Sequence, residues 1–549
     1  MRGLMMGMPL LVSGLIRHAD RHHGDIEIVS RRLEGDIHRE TYREAHARSR
    51  RLARALAALG LAPGDRVASL AWNGYRHFEL YYAVAGSGMV MHTVNPRLFP
   101  EQINWIVEDA EDRALFVDLT FVPLVRKNCR AKIAPERIVV MTDRAHMPPE
   151  AEGWSCYEDL VDAQDDAFEW PTLDEESAAI LCYTSGTTGN PKGALYSHRS
   201  TLLHAYAICL PDAMCLSTRD TVLPIVPMFH VNAWGLPFAA PLVGARIVFP
   251  GAALDGKSVY ELFEAERVTF SAGVPTVWGG LIQYLRQNNL KLTTLKRTII
   301  GGAAVPPAMM RTLEDDYGVE VAHAWGMTEL SPLGCVGKLK GKHESLGAEE
   351  KRAIREKQGR VVYGVDWKIV DAEGRELPWD GKAFGDLHVR GPWVVERYFR
   401  ANATALIDGW FATGDVATID PDGYLRITDR SKDVVKSGGE WISSIVLENL
   451  AMAHPAVQEA AVIACRHPKW DERPLLVVVR KPGARLEREE MLGFYEGKVA
   501  RWWVPDDVVF VDELPHTATG KLLKTELRAR FAQHVLPTAK AGSLATPAA

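Results

Sequence analysis

Residues 183–193 read YTSGTTGNPKG, a turn's length of chain that concentrates hydroxyls, glycines and one lysine. Backbone N–H groups bared by glycine, hydroxyl donors and a mobile cation are the groups that hold a polyphosphate. The run Ser177–Cys182 before it reads as a buried strand, and Arg199–Leu210 after it reads as a helix. The spacing therefore predicts a glycine-rich loop between strand and helix, a common anion site. Its candidate phosphate contacts are Thr184, Ser185, Gly186, Thr187, Thr188, Gly189 and Lys192. The lysine precedes Gly193 and Ala194, whereas a Walker loop ends in Gly-Lys-Ser/Thr. That order speaks against a P-loop NTPase; a polar surface loop is the plain alternative.

The 549 residues exceed one ordinary core, so two or more domains are expected. A formal net charge of −6 and the lack of a nucleic-acid motif exclude a basic nucleic-acid binder. Seven scattered cysteines without a CxxC pair suggest reduced thiols and a cytoplasmic location, not a disulfide framework or zinc site. The apolar start, Met1–Ile16, is interrupted by Pro9 and Gly14 and reads as a lead into a helix over 10–21. No apolar run is long enough to span a bilayer. The Ala/Pro/Ser/Gly-rich residues 536–549 read as a disordered tail.

Strand and helix signals alternate: helix 41–60 closed by Gly60, strand 66–72, helix 77–86, strand 89–93, helix 100–110, strands 114–117 and 137–141. After the loop the rhythm resumes with strands 222–226, 245–249, 270–274 and 297–300. This predicts layered α/β subdomains with parallel strands. Residues 344–357 read as a charged, solvated helix. From about Gly359 short strands and turns predict a β-rich subdomain, and a boundary is placed near residue 430. Beyond it a small α+β unit is expected: helix 443–453, strands 460–464 and 475–480, helix 486–501 and strand 507–511. The expected domains are thus 1–430 and 431–549.

Further polar segments follow the loop in order: PMFHVNAW at 227–234, HAWGMTE at 323–329, WFATGD at 410–415, DRSKDVVKSGGEW at 429–441 and TGK at 519–521. The ordered set resembles the adenylate-forming superfamily of acyl-CoA synthetases, adenylation domains and luciferases across nearly the whole chain. The wording of 226–235 and 436–443 is most similar to bacterial medium- and long-chain fatty-acid:CoA ligases, and ligases of 3-methylmercaptopropionate share much of it.

The resemblance implies a large N-terminal domain and a small mobile C-terminal one. It implies two half-reactions: acid and Mg·ATP give acyl-adenylate and pyrophosphate, then CoA gives thioester and AMP. Lys521 would enter from the C-terminal domain and stabilise charge on the α-phosphate. Glu329 and Thr184 would hold Mg²⁺. Gly302, Ala303, Ala304, Ala324, Trp325, Gly326, Met327 and Thr328 would line the nucleotide, and Asp415 and Arg430 the ribose. Lys432 occupies the hinge, where many relatives carry Asp. His230, Val231, Trp234 and Gly235 would form the acyl gate and pocket, His230 orienting the carboxylate; Lys436, Gly438, Gly439 and Trp441 would border the CoA tunnel. A homodimer is expected by the same resemblance.

Taken alone, Trp325 and Trp234 have a core residue as their rival reading, and 519–521 reads as a solvated turn. Gly235 and Gly334 leave room for an alkyl chain on the sequence reading. The alternatives are a 3-methylmercaptopropionate, short-chain or aryl acid ligase of the same mechanism, and a nucleotide-binding regulatory protein.

Overall fold

The strands of the N-terminal half are short apolar runs such as Ala114–Val117, buried at every position. Such strands fit a parallel sheet covered on both faces. The computed structural model, which describes residues 1, 3–129, 133–184, 190–438, 440–516 and 522–541, contains two compact units. One comprises Met1–Asp366 with Arg390–Phe411, the other Trp367–Val389 with Ala412–Ala549. This division assigns strands upstream of residue 430 to the second unit.

The first unit holds two large sheets. One has seven strands in the order Ser155–Cys156, Ile138–Val140, Ala114–Val117, Arg66–Leu70, Val90–Thr93, Ala178–Tyr183, Gly193–Ser197. All its pairs are parallel except the last. The other has nine strands, with Glu320–Gly326, Arg297–Ile300, Phe270–Gly273, Thr221–Pro224, Arg246–Phe249 and Glu27–Arg31 running side by side and parallel. The helix Tyr75–Gly86 is buried along its whole length. Its Tyr81 and Tyr82 hydroxyls donate to the carbonyls of Met228 and Pro237 at 2.6 and 2.7 Å.

The glycine-rich loop differs from the strand-to-helix expectation. It joins two antiparallel strands, with Tyr183 paired to Gly193, and the helix His198–Cys209 begins only after the second strand. The alternating burial of Ala194, Leu195 and Tyr196 is a strand pattern. The helix N-terminus is capped by its own Ser197, whose side chain accepts from the Ser200 amide.

Charge is buried beneath the helix Tyr75–Gly86. Arg48 bonds Glu79 at 2.5 Å and Glu158 at 2.8 Å, and Arg76 bonds Glu158 and Glu34 at 2.7 Å each. Burial raises the Glu79 carboxyl to about 8. Burial opposes ionisation of Glu158 too, but Arg48 and Arg76 outweigh it and hold that carboxyl at about 2. Its contribution to stability is full above the unfolded carboxylate value, about 4.3, and is lost as pH falls towards about 2. Arg48→Met should cost about 3–5 kcal/mol in urea unfolding at neutral pH, because the buried Glu158 carboxylate loses one of its two cations and Glu79 loses the donor it bonds. A loss below about 1 kcal/mol, the size of a surface pair, would contradict that account.

In the second unit Asp415 lies opposite Arg430 in an antiparallel pair. Its C-terminal sheet centres on Asp471–Arg480, flanked by Val457–His467 and by the parallel strand Asp507–Val511. The expected helix 486–501 is confined to Arg488–Gly493. Gly493 ends it, and Gly497 sits at φ 71°, outside helical space. The expected disordered tail is ordered over its first part: Leu536 is fully buried, and Pro537–Ala541 forms a helical turn. The expected solvated helix near 350 is Ala348–Arg355, and its Arg352 is buried and paired with Asp315 and Glu349 at 2.8 and 2.7 Å.

Candidate active site

The hairpin positions the acid turn. Tyr196, on the strand after the loop, donates its hydroxyl to the Thr328 carbonyl at 2.6 Å. The segment around residue 398 ties both together: Val395 N–H donates to the Glu329 carbonyl, and Phe399 N–H to the Gly193 carbonyl, each at 2.8 Å. Between them Tyr398 donates to Glu329 Oε1 at 2.7 Å, while the Lys192 Nζ sits 4.9 Å from its ring centroid. Burial and the neighbouring Glu329 carboxylate raise the Tyr398 phenol far above its ordinary value, so it stays a donor.

Lys192 and Glu329, 137 positions apart in sequence, are thus linked through one phenol. Thr184 closes the hairpin neck: its hydroxyl accepts from Lys192 N–H at 3.1 Å, and its own N–H donates to the Lys192 carbonyl at 2.9 Å. Glu329 forms no other side-chain hydrogen bond or ion pair among the described residues, so Oε2 remains for a cation. One carboxylate oxygen suits Mg²⁺, which keeps phosphate and water as its other ligands. No group of three or more His, Cys, Asp or Glu able to hold a metal occurs among the described residues.

The nucleotide-lining candidates lie at the carboxyl ends of two adjacent parallel strands, Arg297–Ile300 and Glu320–Gly326. Gly302, Ala303 and Gly326 are exposed there, Ala324 is buried, and Met327 donates its N–H to the Pro332 carbonyl at 3.0 Å. Gly301 is part of this edge and was not anticipated: a Cβ on it would stand 2.7 Å from the Ala324 carbonyl oxygen. Trp325 is buried. Its ring covers Gly334, where a Cβ would meet it at 2.4 Å. Beside Gly235 a Cβ would meet the His204 ring at 2.8 Å. The room expected at these two glycines is therefore already filled by an indole and an imidazole. The Trp234 ring lies against Gly301 and Gly302, and His230 and Val231 lead into the turn that carries it.

In the second unit Arg430 Nε pairs with Asp415 Oδ1 at 2.8 Å, and Asp415 is buried. Burial, with Arg430 and Arg528 near, lowers the Lys432 ammonium, while Asp433 works to raise it. Lys436 pairs with Trp441 across antiparallel strands. The close neighbour of Gly438, at φ 60°, is the Trp470 ring, 2.8 Å from where a Cβ would stand. Ser185, Gly186, Thr187, Thr188, Gly189, Gly439 and Lys521 lie outside the described residues. Tyr196, Gly301 and Tyr398 had no sequence signal of their own. Only the expectation that something must join the loop to Glu329 could have pointed to Tyr398.

The model of the AMP-binding enzyme family matches residues 15–399, and that of the AMP-binding enzyme C-terminal domain matches residues 446–521. The chain belongs to the AMP-binding enzyme family. It is 52% identical over 533 residues to the 3-methylmercaptopropionyl-CoA ligase of Ruegeria lacuscaerulensis, covering 97% of this chain and 99% of that one. It is 49% identical over 538 residues to the medium-chain-fatty-acid–CoA ligase of Ectopseudomonas oleovorans, covering 98% of each. It is 46% identical over 534 residues to the long-chain-fatty-acid–CoA ligase of Thermus thermophilus, covering 96% of each. Among solved structures, an anthranilate CoA ligase in complex with anthranoyl-AMP superposes with a TM-score of 0.83 at 25% identity, covering 97% of this chain and 100% of that one. The protein is an AMP-forming acid–CoA ligase that uses ATP and CoA. No helix of the described residues is long and apolar enough to cross a membrane.

Proposed function

We propose that this enzyme activates medium- to long-chain fatty acids. The observation that carries the adenylating mechanism is the Tyr398 phenol between Lys192 and Glu329, which sets one cation and one carboxylate on the same patch. In this reading Lys192 and the loop hydroxyls grip the β- and γ-phosphates. Mg²⁺, taken by Glu329 and Thr184, would neutralise phosphate charge. Gly302, Ala303, Ala304 and the 324–328 backbone receive the base, and the Asp415–Arg430 pair the ribose. Lys521 acts on the α-phosphate while a carboxylate oxygen, oriented by His230, attacks phosphorus and expels pyrophosphate. The part from 431 to 549 then turns about Lys432. The CoA thiol, passing Lys436 and Gly438, loses its proton and attacks the acyl carbon, and AMP leaves with one former carboxylate oxygen. A homodimer in the cytoplasm completes the reading.

A second acid, 3-methylmercaptopropionate, is favoured by the rings that fill the space at Gly235 and Gly334. Its activating ligase is also 52% identical to this chain. Purified enzyme with ATP, Mg²⁺ and CoA, tested against unbranched C3 to C18 acids and methylmercaptopropionate, separates the two. Higher kcat/KM on C6 or longer acids supports the fatty-acid reading; activity confined to methylmercaptopropionate overturns it.

A further inference from the structure

Residues 231–234 are built in a conformation L-amino acids avoid. Val231, Asn232, Ala233 and Trp234 have φ of 46°, 52°, 48° and 56°, and Gly235 follows at 84°. Such a run crowds each Cβ against the next carbonyl, and a β-branched residue there is an outlier. Successive left-handed residues persist only where the surroundings over-determine them. The backbone supplies part of the restraint: His230 and Ala233 N–H groups donate to the Pro227 carbonyl at 3.1 Å each, and Gly235 N–H to the Asn232 carbonyl at 3.0 Å.

The rest comes from residues outside the turn. The Asn232 amide donates to the Tyr81 hydroxyl at 3.0 Å, and that hydroxyl donates to the Met228 carbonyl at 2.6 Å. Met228 N–H donates to Asn73 Oδ1 at 2.7 Å, and the Asn73 amide donates to the carbonyls of Pro224 and Val226 at 2.8 and 2.9 Å. On its other side Asn232 Oδ1 accepts from the Cys182 thiol at 3.5 Å, two residues before Thr184 at the loop neck. Asn232 is buried, and the Tyr81 ring stacks on Phe238 with centroids 5.7 Å apart. The strained turn is thus caught at its own side chain and at the peptide leading into it.

We propose that Tyr81 and Asn73 are positioning residues for acid recognition: acting through Asn232 and the Met228 peptide, they hold the left-handed turn that aims His230 and Trp234. The inference rests on the reading of His230 and Trp234 given under the proposed function. Neither positioning residue belongs to the phosphate loop or the acid turn, so their effect should fall mainly on the acid, with any effect on ATP limited to the Gly301–Gly302 edge that the Trp234 ring touches.

Tyr81→Phe removes one hydroxyl and keeps the ring on Phe238. It should raise KM for the preferred acid about tenfold and shift the kcat/KM ratio between a C4 and a C10 acid, with KM for ATP within about twofold. Asn232→Gly, which tolerates the backbone but lacks the amide, should show the same split, and Asn232→Ala a larger one. Hydrogen exchange of the 227–238 peptide in the ligand-free protein should quicken about tenfold in Tyr81→Phe. A lowered Tm with unchanged KM for acid, an equal fall in kcat for every acid, or unaltered exchange at 227–238 would overturn the proposal. If the unsubstituted enzyme activated no acid, the functional reading would fail, and the exchange result would still decide whether Tyr81 holds the turn.

Discussion

Replacing Lys521 with alanine is expected to slow acyl-adenylate formation by about 10²–10³-fold, the worth of one preorganised donor at a developing oxyanion. The first half-reaction drives a carboxylate onto a polyanion, and a cation between them offsets repulsion that grows as the new P–O bond forms. The second half-reaction has no such need, since a neutral thioester replaces a mixed anhydride. Thioester formation from supplied acyl-adenylate and CoA should therefore change by less than about tenfold. ATP–pyrophosphate exchange reads the first step, and single-turnover thioester formation reads the second. Intact exchange with lost thioester formation would reverse the assigned role.

Glu329→Gln should lower exchange by about 10²-fold and raise the Mg²⁺ concentration needed for half-maximal rate, because the amide keeps shape but loses charge. The Tyr398 bond to Oε1 survives that substitution in geometry, so the loss reports on charge. Tyr398→Phe is the companion. It frees Oε1 without removing the carboxylate and should cost about tenfold or less, with the Mg²⁺ requirement displaced in the same direction. Equal Mg²⁺ titrations for all three proteins would remove Glu329 from the metal site.

The parts of this molecule built from amphipathic helices or short apolar runs bounded by turn residues were legible in its sequence. The helix Pro100–Ala110 and the strands Ala114–Val117, Arg297–Ile300 and Asp507–Val511 fall where apolar periodicity and turn residues put them. Gly193–Ser197 was read through as part of a loop because it starts on a glycine and Ala194, Leu195 and Tyr196 are all apolar, so the alternation seen in their burial is not written in their polarity. That single strand converts a strand-loop-helix into a hairpin. Helix 486–501 failed because Gly493 and Gly497 break a polar stretch that propensity favours.

At the site, types of chemistry were legible and partners were not. Asp415 and Arg430 were both named on motif grounds, and strand register places them 2.8 Å apart. Tyr398 was missed because a phenol within Glu396–Arg400 has no pattern until the Gly193 hairpin and the Glu329 turn close on it. The room expected at Gly235 and Gly334 was wrong for a related reason. A missing side chain marks where another group comes close, and here those groups are His204 and Trp325.

The most direct test of adenylation supplies acid labelled with ¹⁸O in both carboxylate oxygens, together with ATP and CoA. Attack of the carboxylate on the α-phosphorus, followed by thiol attack on carbon, leaves one labelled oxygen in AMP and the other in the thioester carbonyl. Label in AMP, with unlabelled pyrophosphate, is the predicted result. Label in inorganic phosphate beside ADP would mean that the acid attacks the γ-phosphorus, and would contradict the account.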